Sequence, residues 1–189
     1  MKRIFAAVLL LLLAAPAWGQ DFEKAMEAYD RGDYAAALEE LRVLAEQGHV
    51  LAQRKLGIIY ATGFGVPRNF AEAVKWYRKA ADQGNADAQL MLGVRYEHGD
   101  GVPRDHAQAV KWYRKAAEQG HAEAQTHLGA KYAAGQGVSQ DLREAAMWYA
   151  KAADQGYARA QALLAFMYVE GQAVPKDLAY PVNAHDHYM

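Results

Sequence analysis

Apolar and polar positions follow a helical spacing along most of the chain, and the whole pattern returns every 36 residues. From about Ala86 to Glu97, the residues Ala88, Gln89, Leu92, Gly93 and Tyr96 recur three and four apart, which is one face of a helix. Gly99-Asp100-Gly101 ends that helix, since glycine takes the left-handed cap conformation without steric cost. Val102-Pro103 continues in extended form, and the Asp105 carboxylate caps a second helix. This second helix turns Ala109, Trp112-Tyr113 and Ala116-Ala117 inward and ends at Gly120. The stretches Val50–Gly84 and Ala122–Gly156 repeat the arrangement. Leu56, Leu92, Leu128 and Leu164 fall in register, as do Tyr60, Tyr96, Tyr132 and Tyr168.

The pattern predicts an all-α chain built of helix–turn–helix units, here termed helix A and helix B. One such pair cannot bury its own apolar face, whereas a stack of pairs can, so the expected architecture is a solenoid. Large Trp, Tyr and Leu alternate with Ala and Gly because neighbouring helices approach closely only where small residues face large ones. The predicted organisation is a leader at 1–19, an N-terminal helix pair at 20–48 and full repeats at 49–84, 85–120 and 121–156. A partial repeat with helix A alone follows at 157–180, then a disordered tail at 181–189. The fourth unit breaks because Pro181 stands where Ala109 stands in the second, removing an intrahelical donor. Tyr180 is also biased away from helix by the proline after it. The third unit departs only at Ser139, where the others carry Pro67, Pro103 and Pro175.

The second unit, from Ala86-Asp87-Ala88-Gln89 through Leu92-Gly93, Tyr96, Gly99-Asp100-Gly101-Val102, Asp105 and Trp112-Tyr113 to Gln119-Gly120, resembles the Sel-1-like repeat, a tetratricopeptide-like family. The resemblance covers about Asp21 to Ala179. Within it, Ala25, Ala28-Tyr29, Gly32-Asp33-Tyr34 and Ala37 look like a tetratricopeptide helix pair that caps the array. The family implies a right-handed α–α superhelix whose concave face is lined by A helices. It also implies an adaptor, regulator or host-interaction role of the exported bacterial type. Some cysteine-rich secreted members are described as binding or cleaving β-lactams. This chain has no cysteine, so that disulfide framework and its activity do not carry over.

The start of the chain changes the expected compartment. Lys2 and Arg3 form a short positive region, Ile4 to Ala15 is wholly apolar, and Pro16 precedes small residues. This reads as a secretory leader cut after Ala17-Trp18-Gly19, or else after Ala15-Pro16-Ala17. The apolar run is shorter than the ~20 residues a membrane span requires, so no stable span is expected after cleavage. The expected location is periplasmic or secreted. The formal net charge is −1, and losing Lys2 and Arg3 leaves 19 basic against 22 acidic residues. That balance argues against nucleic acid as a partner. Without cysteine, packing alone must hold the fold.

The inventory of catalytic groups is thin, and no enzyme activity or cofactor is expected. Ser139 is the only serine, and neither its surroundings nor any GxSxG offers a nucleophile motif. Thr62 and Thr126 have no base at motif spacing. The glycine-rich stretch Gly63-Phe64-Gly65-Val66-Pro67 lacks the lysine of a phosphate loop and recurs in each unit, so it reads as a turn. His185-Asp186-His187 sits in the tail, and His98, His106, His121 and His127 show no ligand spacing, so no metal site is expected. Trp76, Trp112 and Trp148 read as core residues rather than as a sugar-stacking surface.

The surface of the A helices is what remains. Opposite the recurring residues lies a side that varies between units: Leu51, Lys55, Ile58 and Thr62; Asp87, Met91, Val94 and His98; Glu123, His127, Ala130 and Ala134; Arg159, Leu163, Phe166 and Glu170. Its middle row, Ile58, Val94, Ala130 and Phe166, is apolar. Such a row suits a peptide or partner helix, or equally packs between successive A helices. The expected function is a scaffold that binds a protein segment through Lys55, Ile58, Met91, Val94, His98, His127, Ala130, Leu163 and Phe166. The alternatives are a hydrolase or binding protein for cell-wall or β-lactam compounds, by family analogy, and a scaffold in envelope or polysaccharide assembly. Helix A of the fourth unit is also expected to leave Leu164 and Tyr168 partly uncovered, opening the array's end to self-association.

Overall fold

In the computed structural model of the protein, residues 18–171 are described. Among them are nine helices and no strand: α1 (Trp18–Asp30), α2 (Tyr34–Glu46), α3 (Val50–Thr62), α4 (Phe70–Asp82), α5 (Ala86–His98), α6 (His106–Glu118), α7 (Ala122–Ala134), α8 (Leu142–Asp154) and α9 (Ala158–Val169). Each helix packs chiefly on its neighbours in sequence, with α3 on α4, α5 on α6 and α7 on α8 the closest pairs. The chain is therefore an α–α solenoid of helical hairpins. The leader, Pro181, the tail and the His185–His187 pair lie outside the described residues, except that Trp18 and Gly19 open α1.

The local signals place the helix ends. Asn69, Asp105 and Asp141 accept from the backbone N–H groups of Glu72, Gln108 and Glu144, capping α4, α6 and α8. The A helices α3, α5 and α7 close on a left-handed glycine, as at Gly99 with φ +80°, where a side chain would be strained. Gly93 has a different purpose. A Cβ there would lie 2.6 Å from the Tyr113 ring, so only glycine lets α5 and α6 approach this closely.

Two hydrogen-bond ladders stitch unit to unit. Gln53, Gln89, Gln125 and Gln161 each donate back to a carbonyl of the preceding B helix, at Ala45, Ala81, Ala117 and Ala153. Gln83, Gln119 and Gln155 then donate to the side chains of Gln53, Gln89 and Gln125 at 2.7–2.8 Å. The second ladder runs from Arg42, Arg78 and Arg114 to the hydroxyls of Tyr60, Tyr96 and Tyr132. Buried amides must be paired, so a slip of one helix would strand several donors at once. This fixes the register that apolar burial alone leaves loose.

Trp76 and Trp112 are buried and Trp148 is half-buried. Lys79, Lys115 and Lys151 lie over these three rings at 4.1–4.2 Å. One expectation about the fourth unit is corrected. Leu164 is buried, at 2% exposure, because α8 covers it with Ala146, Tyr149, Ala150 and Ala153. The hairpin side of an A helix is shared with the preceding B helix. The open face of α9 is instead the side that earlier A helices turn toward the next unit, with Phe166 57% and Val169 83% exposed.

Candidate functional site

The varying face of the A helices forms one strip along α3, α5, α7 and α9. Its residues are not equally open. Lys55 is half-buried, with its ammonium 4.0 Å from the centre of the Tyr29 ring. Burial lowers its pKa, against the attraction of Asp30. Ile58 packs on the cluster that holds Tyr77 and Leu92. Met91 and Val94 pack on the next cluster, around Tyr113 and Leu128. Ala130 and Leu163 pack on the last, around Tyr149 and Leu164. His98 and Phe166 are exposed. The middle row thus sits in the seams between successive A helices, half-covered, and opens fully only at Phe166.

His127 belongs to a polar cluster between α5, α6 and α7. Lys131, only 4% exposed, donates to Glu97 Oε1 at 2.5 Å and to Gln136 at 3.0 Å. The Tyr113 hydroxyl donates to Glu97 Oε2 at 2.5 Å. The His127 ring stacks on Tyr113 at 4.9 Å, and its two nitrogens lie 3.9 Å from Glu97 and Glu123. Burial by itself would raise the Glu97 carboxyl. Hydrogen bonds from Lys131 and Tyr113, with the charges of Lys131 and His127, outweigh it and hold the group below its ordinary value. Burial pushes the Tyr113 phenol well up, and its contact with Glu97 adds to that. Burial lowers His127, against the opposing pull of Glu97 and Glu123.

The preceding seam, between α3, α4 and α5, holds the same positions with different residues. One repeat earlier than Glu97, Tyr113 and Lys131 stand Ala61, Tyr77 and Arg95. Arg95 pairs with Asp100 at 2.9 Å. Arg54, from α3, pairs with Asp87 at 2.6 Å, and Asp87 also faces His121 at 3.1 Å. The Nε atoms of both arginines are buried with no hydrogen-bond partner. Burial pushes the Tyr77 hydroxyl up to about 12, while the charges of Arg95 and Arg54 pull it down. In the last seam Ala133, Tyr149 and Met167 occupy these positions.

Of the sequence-predicted residues, the structure brings Met91, Val94, His127, Ala130 and Leu163 into the seams and leaves His98 and Phe166 outside them. The sequence reading missed Glu97, Lys131, Arg95 and Arg54. Their signal was present in the repeat register: a cation at 95 and 131 occupies a column that holds Ile59 and Met167 elsewhere. Among the described residues there is no group of three His, Cys, Asp or Glu side chains able to hold a metal ion. No described helix is long and apolar enough to cross a membrane.

The chain is similar in sequence and fold to known repeat proteins. The Sel1 repeat family pattern matches residues 50–85, 86–121, 122–157 and 158–181. A protective antigen of uropathogenic Escherichia coli with an SLR fold is 41% identical over 83% of this chain and 34% of its own, with a TM-score of 0.80. A Sel1 repeat protein from Oxalobacter formigenes is 40% identical over 82% of this chain and 63% of its own, with a TM-score of 0.76. The chain therefore spans about a third of one relative and under two thirds of the other. Cysteine-rich protein B of Helicobacter pylori shares the fold at 23% identity and a TM-score of 0.54, over 67% of this chain and 96% of its own. No curated protein matches.

Proposed function

The chain belongs to the Sel1 repeat family, and we propose that it is an exported scaffold that binds a segment of a partner protein along its A-helix strip. Sel1 repeat proteins generally are protein–protein interaction scaffolds and typically are not enzymes. The observation that carries the reading is a division within each hairpin. Interior positions such as Leu56, Leu92 and Leu128 repeat and are buried, whereas the strip changes residue from unit to unit around a half-covered apolar row. Variation on a rigid frame is how one fold presents different surfaces to different partners. The strip's apolar row and mixed polar rim match the anatomy of a binding surface.

The test is site-specific photo-crosslinking in native envelope and medium fractions. A crosslinker at His98 should capture a protein partner, and one at Lys111, exposed on α6, should not. Met91→Glu should weaken capture from His98. Equal capture from both positions, or capture from Lys111 alone, would place the binding face elsewhere. Export has its own measurement. The intact mass of the exported chain should correspond to a start at Gln20, and a mass that keeps Met1 to Gly19 would overturn that part of the reading. Exposed Phe166 and Val169 also make the α9 face a candidate for self-association. Sedimentation across a concentration series, with Phe166→Glu alongside, reads this directly.

A further inference from the structure

The two polar seams differ in several residues, and the first has Ala61 where the second has the acceptor Glu97. In the second seam the Glu97 carboxylate receives the Tyr113 hydroxyl and the Lys131 ammonium, and both donors are satisfied. In the first seam the equivalent donors are present and the carboxylate is not. Tyr77 packs in the cluster that Ala61 borders, and alanine has nothing to accept with. Among the described residues no side chain accepts from the Tyr77 hydroxyl, whose oxygen is not wholly enclosed. Arg95 and Arg54 each satisfy one aspartate, Asp100 and Asp87, and each still has a buried Nε without a partner. A buried donor left unpaired is destabilising, and a suitable acceptor removes that penalty. The charges in this seam are balanced; what it lacks is an acceptor.

We propose that the first seam takes a carboxylate from outside, held by the Tyr77 hydroxyl, Arg95 and Arg54 as Glu97 is held in the next seam. This deepens the scaffold reading and rests on it. The strip runs past the seam through half-exposed Lys55, Ile58 and Met91, so a segment lying there meets the side chains of Arg54 and Arg95, which are 34% and 15% exposed. Guanidinium groups favour carboxylate through paired, charge-assisted donors, and the Tyr77 hydroxyl adds a neutral donor that orders the geometry. The required partner chemistry is an apolar segment with one acidic side chain or a free C-terminal carboxylate. In the third seam Met167 replaces the cation, and Arg159, whose charge acts on Tyr149, is exposed, so no buried guanidinium donor is left over there.

The test uses the whole chain with ¹⁵N-labelled arginine, so that the Nε–H signals of Arg95 and Arg54 are read directly. Three probes are titrated. Acetyl-Ala-Leu-Glu-Leu-Ala-amide carries a side-chain carboxylate only. Acetyl-Ala-Leu-Ala-Leu-Ala carries a terminal carboxylate only. Acetyl-Ala-Leu-Gln-Leu-Ala-amide is neutral. At least one carboxylate probe should shift both signals to saturation, about tenfold more tightly than the neutral probe, and which one does so identifies the source. Tyr77→Phe should weaken that probe severalfold while keeping the ring in place. Ala61→Glu should abolish binding, because it supplies the carboxylate from within. Signals unmoved by both carboxylates, or moved equally by the neutral probe, overturn the proposal. So does a folded Ala61→Glu that binds like the parent; if that variant fails to fold, Tyr77→Phe decides. Failure of the titration with capture at His98 intact removes the carboxylate site alone, whereas loss of capture removes the scaffold reading.

Discussion

The seam between the first and second repeats and the seam between the second and third share helix positions, tyrosine and glycine. The first carries Ala61 and Arg95; the second carries Glu97 and Lys131. In the second, an ionised carboxylate and an almost fully buried ammonium satisfy each other, and Tyr113 completes the set. In the first, two arginines look to nearby aspartates and leave donors over. One seam is closed on itself and the other is short of an acceptor. Identical packing can thus support a purely structural contact in one unit and a receptive one in its neighbour.

The comparison breaks most readily at Glu97. Glu97→Ala leaves Lys131 buried without a counter-charge and with only Gln136 to accept from it, and such losses run to about 3–5 kcal/mol. Adding Lys131→Met makes the seam resemble the third, with its Ala133 and Met167, and should restore most of that stability. Urea midpoints of the single and double variants check this; a single variant as stable as the parent would mean the pair contributes nothing.

The shared glycine is the next effect in size. Gly93→Ala forces a methyl against the Tyr113 ring, and Gly57→Ala does the same at Tyr77, where the Cβ would lie 2.4 Å away. Overpacking of this kind costs about 1–3 kcal/mol, and thermal denaturation should show both variants destabilised to a similar extent. A large difference would mean that the two tyrosines are not equally fixed.

The smallest effect is a pH dependence centred on His127 and Glu97 of the second seam, beside a contribution of the same sign from His49, whose pKa burial also lowers. His127 has its pKa lowered from 6.5, so the folded state holds the ring neutral while the unfolded chain takes up a proton first. Its contribution is complete above the unfolded value and is lost as pH falls through the folded one. Glu97, also lowered, contributes above its ordinary value of 4.5 and loses that contribution at more acidic pH still. Stability followed from pH 7 downward should therefore fall in two stages. His127→Met, which copies Met91 of the first seam, should shrink the first stage to the share of His49 and leave the second in place. An unchanged profile would show that His127 is not coupled to folding.

Much of the fold was legible because it rests on local rules applied in series. The caps at Asn69, Asp105 and Asp141, the left-handed glycines and the 36-residue return are all written in consecutive residues. The candidate strip was legible in part, since its residues could be assigned to one side of each A helix. How deeply they lie was not. Ile58, Val94 and Ala130 are half-covered because successive A helices touch along that side, and Phe166 is exposed where no described helix follows.

Consecutive residues specify the helices, their pairing into hairpins and the stacking of those hairpins, because an amphipathic pair must cover its apolar face and the repeat applies the same solution again. Which side chains meet across a seam depends instead on how the stacked helices place distant residues. Glu97 reaches Lys131 over 34 residues, and Arg54 reaches Asp87 over 33, separations shorter than the repeat that no local pattern marks. Burial sets the worth of those contacts. The same lysine on an exposed turn would be a solvated charge, and between α5 and α7 it requires a carboxylate.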